Sequence, residues 1–170
     1  HDTERFAKEY NKDAKKAVCY YAIEAYFCAG IAVTLGFEYG FEKKIDVVNT
    51  TYKDYEEVNY DIAEDIRLVN EIKETYNVLK EDNFVEIYDF GNSDVFAFLK
   101  KSLDGTEKIF MIANINTGAG ADVKVPNMFE IMEEKSIEDI SHGHRMDTVP
   151  DNLEYYLQPG EVKLFYQKLM

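Results

Sequence analysis

The hydrophobic pattern of this 170-residue chain changes period at Asp82-Asn83, and that single change restricts the folds open to it. Before this point apolar residues recur at three- and four-residue steps, as helices require; after it they alternate with period two or run in short β-rich blocks. A helical segment followed by a run of strands predicts an α+β chain rather than an alternating βαβ sheet.

Two helices are expected in the first half. Residues 12–29 carry apolar groups at Val18, Tyr21, Ala22, Ala25 and Cys28, with Asp13 as cap and Gly30 as stop. A second helix opens at Asp61 and repeats Ile62, Ile66, Val69, Ile72, Tyr76 and Leu79. Between them Ile31-Ala32-Val33-Thr34-Leu35, bounded by Gly30 and Gly36, has the composition of a strand covered on both faces. Residues 37–60 lose periodicity and form a long aromatic and acidic loop containing Tyr39, Phe41, Tyr52, Tyr55 and Tyr60.

The second half predicts strands at 84–90, 95–103, 108–116, 121–125, 130–135, 153–157 and 161–168, separated by turn residues such as Asp104-Gly105. Their number and spacing predict an antiparallel β-sandwich. The organisation expected is therefore residues 1–82 as one part and 83–170 as the other.

A formal charge of −14 opposes binding to phosphate backbones and anionic lipid, and the nineteen basic residues form no patch interleaved with aromatics. Nucleic acid and membrane are not expected partners. No run of eighteen apolar residues occurs. The chain opens on His1 with no basic-then-apolar leader, so a signal peptide is expected to be absent or already removed, and a truncated start is expected. Cys19 and Cys28 lie nine positions apart, or roughly 13 Å along one helix axis, too far for a disulfide. Both are expected as buried thiols, a usage that suits a reducing, cytoplasmic compartment.

Several local patterns occur in a meaningful order. His1-Asp2-Thr3-Glu4-Arg5-Phe6 comes first, then Gly36-Phe37-Glu38-Tyr39-Gly40 after the apolar run, then Ile66-Arg67-Leu68 on the second helix. In the β-rich half follow Val95-Phe96-Ala97-Phe98-Leu99-Lys100, the run from Ile109 to Asn116, Asp139-Ile140-Ser141-His142-Gly143, and Leu157-Gln158-Pro159-Gly160-Glu161. In this order they resemble the end of the α-amylase family of glycoside hydrolases, across nearly the whole chain. The resemblance implies the tail of a (β/α)8 barrel, comprising one strand and two helices, followed by an antiparallel β-sandwich domain.

It also implies chemistry. Retaining glycosidases use a nucleophile and an acid/base carboxylate about 5–5.5 Å apart. In this family both lie on earlier barrel strands, so the chain alone is expected to be inactive. Asp2 matches the third family acid, which bonds sugar hydroxyls and stabilises the transition state; His1 would donate to the same sugar. Arg5 and Glu38 are the remaining substrate-binding candidates, Glu38 with a competing role as a structural acid in a Gly-flanked turn. The implied partner is an α-glucan or oligosaccharide, and no cofactor is implied. Glu56-Glu57 before Tyr60-Asp61 is similar to maltosyltransferases, but that group lacks the His-Asp pair, which ranks hydrolysis above transfer.

Alternatives stand beside that expectation. The chain could be a non-catalytic carbohydrate-binding or structural module. Tyr39, Tyr52 and Tyr55 are candidates for stacking on sugar rings, or for packing on a barrel. His142-Gly143-His144, with Asp139 and Asp147, has spacing compatible with zinc, although turn histidines satisfied by neighbours are commoner and no metal is expected. If residues 31–35 are an orphaned barrel strand, the chain is expected to dimerise or swap through them.

Overall fold

The computed structural model describes residues 3–169. Four helices and seven strands give an α+β architecture: α1 (Phe6–Glu9), α2 (Ala14–Phe27), α3 (Ala63–Thr75), β1 (Val85–Tyr88), β2 (Val95–Lys101), β3 (Glu107–Asn114), β4 (Ala121–Val125), α4 (Met128–Met132), β5 (Glu138–Asp139), β6 (Leu153–Leu157) and β7 (Val162–Lys168). Two 3-10 turns, Tyr52–Asp54 and Asn77–Lys80, complete it.

The main sheet has five antiparallel strands in the order β1-β2-β3-β7-β5, and β4 pairs with β6 in a second, two-stranded sheet. Strand β3 is central and almost wholly buried. Its alternate residues therefore serve two cores. Ile109, Met111 and Ala113 pack with α2, α3 and the Asn77–Lys80 turn, while Phe110 and Ile112 pack with β4, β6 and α4. Helices cover one face of the main sheet, and the small sheet covers the other.

Helix α2 starts where Asp13 Oδ1 accepts the backbone N–H of Lys16 at 3.0 Å, as its sequence suggests. Its last residue is Phe27, with Cys28 as the cap, short of Gly30. The cause is tertiary: the Lys73 Nζ donates to the carbonyls of Ala25 and Cys28, and Lys100 Nζ to that of Phe27 at 3.1 Å. Two cations thus meet the negative end of the helix and satisfy its last carbonyls. Helix α3 begins beside Asp61, whose carboxylate accepts from Ala63 N at 3.0 Å, and stops at Thr75. Val78 and Leu79 continue its apolar series from the 3-10 turn instead.

Three sequence expectations are corrected. Residues 31–35 run without regular secondary structure and join no sheet among the described residues, leaving Val33 45% and Leu35 61% exposed. Every strand among the described residues comes from the second half, and none of them pairs with this segment. The strand expected at 130–135 is replaced by helix α4, because Met128 and Met132 bury one apolar stripe and left-handed Asn127 (φ 58°) and Glu133 (φ 63°) turn the chain in and out. Strand β5, too short to have a period, comes from the 139–143 motif region instead. Cys19 is buried, but Cys28 is exposed because it lies beyond the helix rather than on its packed face.

No helix among the described residues is long and apolar enough to cross a membrane.

Candidate functional site

The Gly36-Phe37-Glu38-Tyr39-Gly40 segment is a tight turn whose glycines are both required. Gly36 has φ +86°, and a Cβ there would lie 2.2 Å from Phe41 Cδ2; Gly40 has φ +67°, and its Cβ would lie 2.7 Å from Tyr60 Cε1. Phe41 N–H closes the turn on Gly36 O at 2.9 Å. Glu38 Oε2 accepts from Gly36 N at 3.0 Å, so its carboxylate braces the turn from within.

The loop returns to its own base. Ile62 N donates to Glu38 O and Asn59 N to Tyr39 O, each at 3.0 Å, and Asn59 Nδ2 donates to Gly40 O at 2.7 Å. The Glu56 carboxylate accepts from Glu42 N at 3.0 Å and Lys43 N at 2.7 Å. A stretch without periodicity is thereby fixed by backbone-to-carboxylate bonds, which explains its many acids.

Arg5 connects this loop to the start of the chain. It is 7% exposed, and its guanidinium donates to Leu35 O at 2.6 Å (Nη2) and Phe41 O at 3.3 Å (Nε). Burial pulls its pKa down, with Glu56, Glu38 and Tyr60 opposing; a guanidinium starts so high that it stays charged. The Arg5 Nη1 and the Tyr60 hydroxyl are buried without a hydrogen-bond partner among the described residues. Burial also raises the pKa of Tyr60, against the pull of the Arg5 charge.

Beside Arg5 opens a cleft of about 330 Å³, lined by Phe6, Tyr20, Tyr21, Glu24 and Phe37 among others. The Phe6 ring meets Phe37 edge-on at 5.6 Å and Tyr20 at 5.8 Å. The lining thus combines aromatic rings with the carboxylate of Glu24 and the buried Arg5, a mixture suited to a polyhydroxylated ligand with apolar faces.

Of the four residues singled out in the sequence, Arg5 and Glu38 reach the same turn, one through Leu35 and Phe41, the other through Gly36. His1 and Asp2 lie outside the described residues. Phe41 and Tyr60 were not singled out as site residues; the two glycines were their signal, because a glycine held at positive φ leaves room for a ring against the backbone.

The histidine pair of the 139–143 motif is arranged differently. Asp139 is buried in an ion pair with Lys163 and also accepts from the Ser141 hydroxyl, Ser141 N and Met146 N. Its oxygens are occupied in fixing the turn. His144 Nδ1 stands 3.4 Å from Glu161 Oε1, which already accepts from the Tyr155 hydroxyl at 2.8 Å. Among the described residues no group of three or more His, Cys, Asp or Glu is placed to hold a metal ion.

No family model matches this sequence. No curated protein matches it either. Solved structures do match its fold. An α-amylase from Anoxybacillus aligns with all of the chain at TM-score 0.68 and 14% identity, over 37% of its own length. A γ-CGTase from the alkalophilic Bacillus clarkii aligns with 99% of the chain at TM-score 0.67 and 17% identity, over 25% of its length. The Bacillus licheniformis trehalose-6-phosphate hydrolase, in its R201Q mutant with PNG, aligns with 98% at TM-score 0.63 and 12% identity, over 41% of its length. The chain spans about two-fifths or less of each of these three structures. At such identities the likeness is one of fold: helices and sheet together match a portion of amylase-type glycosidases that includes a C-terminal β-domain.

Proposed function

We propose that this chain is the C-terminal part of an α-amylase-family glycoside hydrolase, with residues 1–82 ending a catalytic barrel and 83–170 forming its closing β-domain. The observation that carries the reading is the likeness of fold over 98–100% of the chain to three amylase-type structures, helices and sheet alike. The ordered motifs in the sequence support it independently.

In this reading the parent enzyme acts on α-glucosidic bonds of glucans or oligosaccharides with retention, through two carboxylates that lie outside this chain. Asp2 hydrogen-bonds hydroxyls of the sugar at the scissile bond and favours its distorted, oxocarbenium-like form; His1 donates to the same sugar. Arg5 acts behind them as a positioning residue. Its bonds to Leu35 O and Phe41 O tie the segment that carries His1-Asp2 to the Gly36–Gly40 turn, and Glu38 keeps that turn in shape.

The test compares release of reducing sugar from maltoheptaose by this chain, by the longest natural product containing it, and by that product with Asp2→Asn. The chain alone should be inactive, and Asp2→Asn should lower kcat on the order of 10²–10³-fold while sparing the fold. Full activity in the Asp2→Asn protein overturns the assignment. Product analysis separates hydrolysis from transfer: chain-lengthened oligosaccharides as the main products would move the parent to a transferase.

A further inference from the structure

The loop that Arg5 anchors carries two solvent-facing aromatic rings. Tyr52 is 76% and Tyr55 61% exposed. The loop holds both in place. Thr51 and Asp54 form a reciprocal capping box around the Tyr52–Asp54 turn, and the Asp46 carboxylate gathers the N–H groups of Val48 and Asn49. The Tyr55 ring stands on Phe41 at 5.9 Å, and Phe41 in turn lies against Gly36.

Beside Tyr55 is a shallow depression. Phe41 and Tyr55 give it an apolar wall, and Lys43, Thr50 and Asp54 line it with an ammonium, a hydroxyl and a carboxylate. Arg5 and Phe41 belong both to this depression and to the aromatic cleft, so the two concavities are contiguous.

We infer that Tyr55, with Tyr52 three residues before it on the same turn, is a stacking platform for a pyranose ring of an α-glucan, seated at the depression that Lys43, Thr50 and Asp54 line. The ligand class follows from the chemistry of the wall. A pyranose has an apolar C–H face and a rim of hydroxyls that both donate and accept. It needs a flat ring beneath it and mixed polar groups around it, held in advance so that little is lost in ordering them. A chain with formal charge −14 disfavours an anionic occupant and is indifferent to a neutral polyol. The choice of an α-linked glucan rests on the function proposed above; the platform itself does not.

The experiment is a titration of the ¹⁵N-labelled chain with maltoheptaose and, separately, cellohexaose, followed by amide shifts. Maltoheptaose should move the amides of residues 41–56. Tyr55→Ala should weaken binding by about tenfold, as expected for loss of one ring contact, and Tyr55→Phe should retain most of it. If Tyr55→Ala disturbs the loop, Tyr52→Ala, whose ring is not packed on Phe41, still reports on the platform with an intermediate loss. Binding of cellohexaose alone at the same amides keeps the platform and overturns the α-glucan reading. Maltoheptaose shifts confined to other residues overturn the platform and leave the proposed function standing. No saccharide binding, with concentration-dependent broadening at the exposed Val47 and Val48, overturns the platform in favour of a protein contact.

Discussion

The ammonium of Lys73 on α3 donates to the carbonyl of Ala25 on α2 at 2.6 Å, from 48 residues away. The same nitrogen reaches Cys28 O at 2.5 Å and Leu79 O at 2.6 Å, so one side chain fastens the end of α2, the end of α3 and the turn after it. Burial holds the Lys73 pKa below its ordinary range, and the nearby Lys100 charge adds to this. Replacing it by methionine strands two carbonyls at the end of α2 and one in the turn after α3, and should cost about 2–4 kcal/mol. Urea unfolding of Lys73→Met checks this; a midpoint equal to that of the unaltered chain rejects the role.

Asp13 contributes a cap and a long-range bond at once. Its carboxylate accepts from Lys16 N and from the hydroxyl of Thr117, in the segment after β3. Burial pushes its pKa up, but the Thr117 and Lys16 bonds outweigh it and the net shift is downward. A carboxyl with a depressed folded pKa stabilises fully above its unfolded value near 3.8 and loses that stabilisation as pH falls through the folded value. Asp13→Asn should flatten the loss of stability below about pH 4, and Asp13→Ala should cost about 1–2 kcal/mol at neutral pH. Thermal melts between pH 2 and 7 read both effects.

Gly36 and Gly40 should resist even alanine. Each sits at positive φ with a ring where its Cβ would be, so Gly36→Ala and Gly40→Ala should each destabilise by at least about 1–2 kcal/mol. Gly30 has open space around it, and Gly30→Ala should be close to neutral. Equal melting temperatures for all three variants would contradict this account of the turn.

The two cysteines should differ in reactivity. Cys19 is buried, its Sγ donates to Asn114 O at 3.6 Å, and burial pushes the thiol pKa up to about 12. Cys28 is exposed. Titration with a thiol-specific disulfide reagent at pH 8 should modify one cysteine in the native chain and two after unfolding. Two equivalents reacting at once in the native state would show that Cys19 is accessible.

Much of the fold was legible because it follows from local periodicity. Strands β4 and β6 have the bounds their alternation predicts, and Asp13 caps the helix it precedes. Strands β1, β2, β3 and β7 of the main sheet were legible, though not their order, whereas the two-residue β5 that pairs with β7 was not expected. Residues 31–35 read as a covered strand because their composition is that of one, yet a strand needs a partner and the described residues supply none. The short helix α4 was hidden by its length, too brief to establish a period.

The candidate site divides along the same line. The sequence marked Glu38 through the glycines that flank it, and Arg5 only through the resemblance of the motif that carries it to a family pattern. It also determined that the 37–60 loop was rich in tyrosines and acids. Only the tertiary structure decided that Arg5 binds Leu35 and Phe41, that Glu38 turns inward to Gly36, and that Tyr52 and Tyr55 face water while Phe41 supports one of them. Sequence spacing reports which residues share a face of one helix or strand. Contacts across 30 or more residues depend on how separate elements pack, and that is fixed by the whole core rather than by any local pattern.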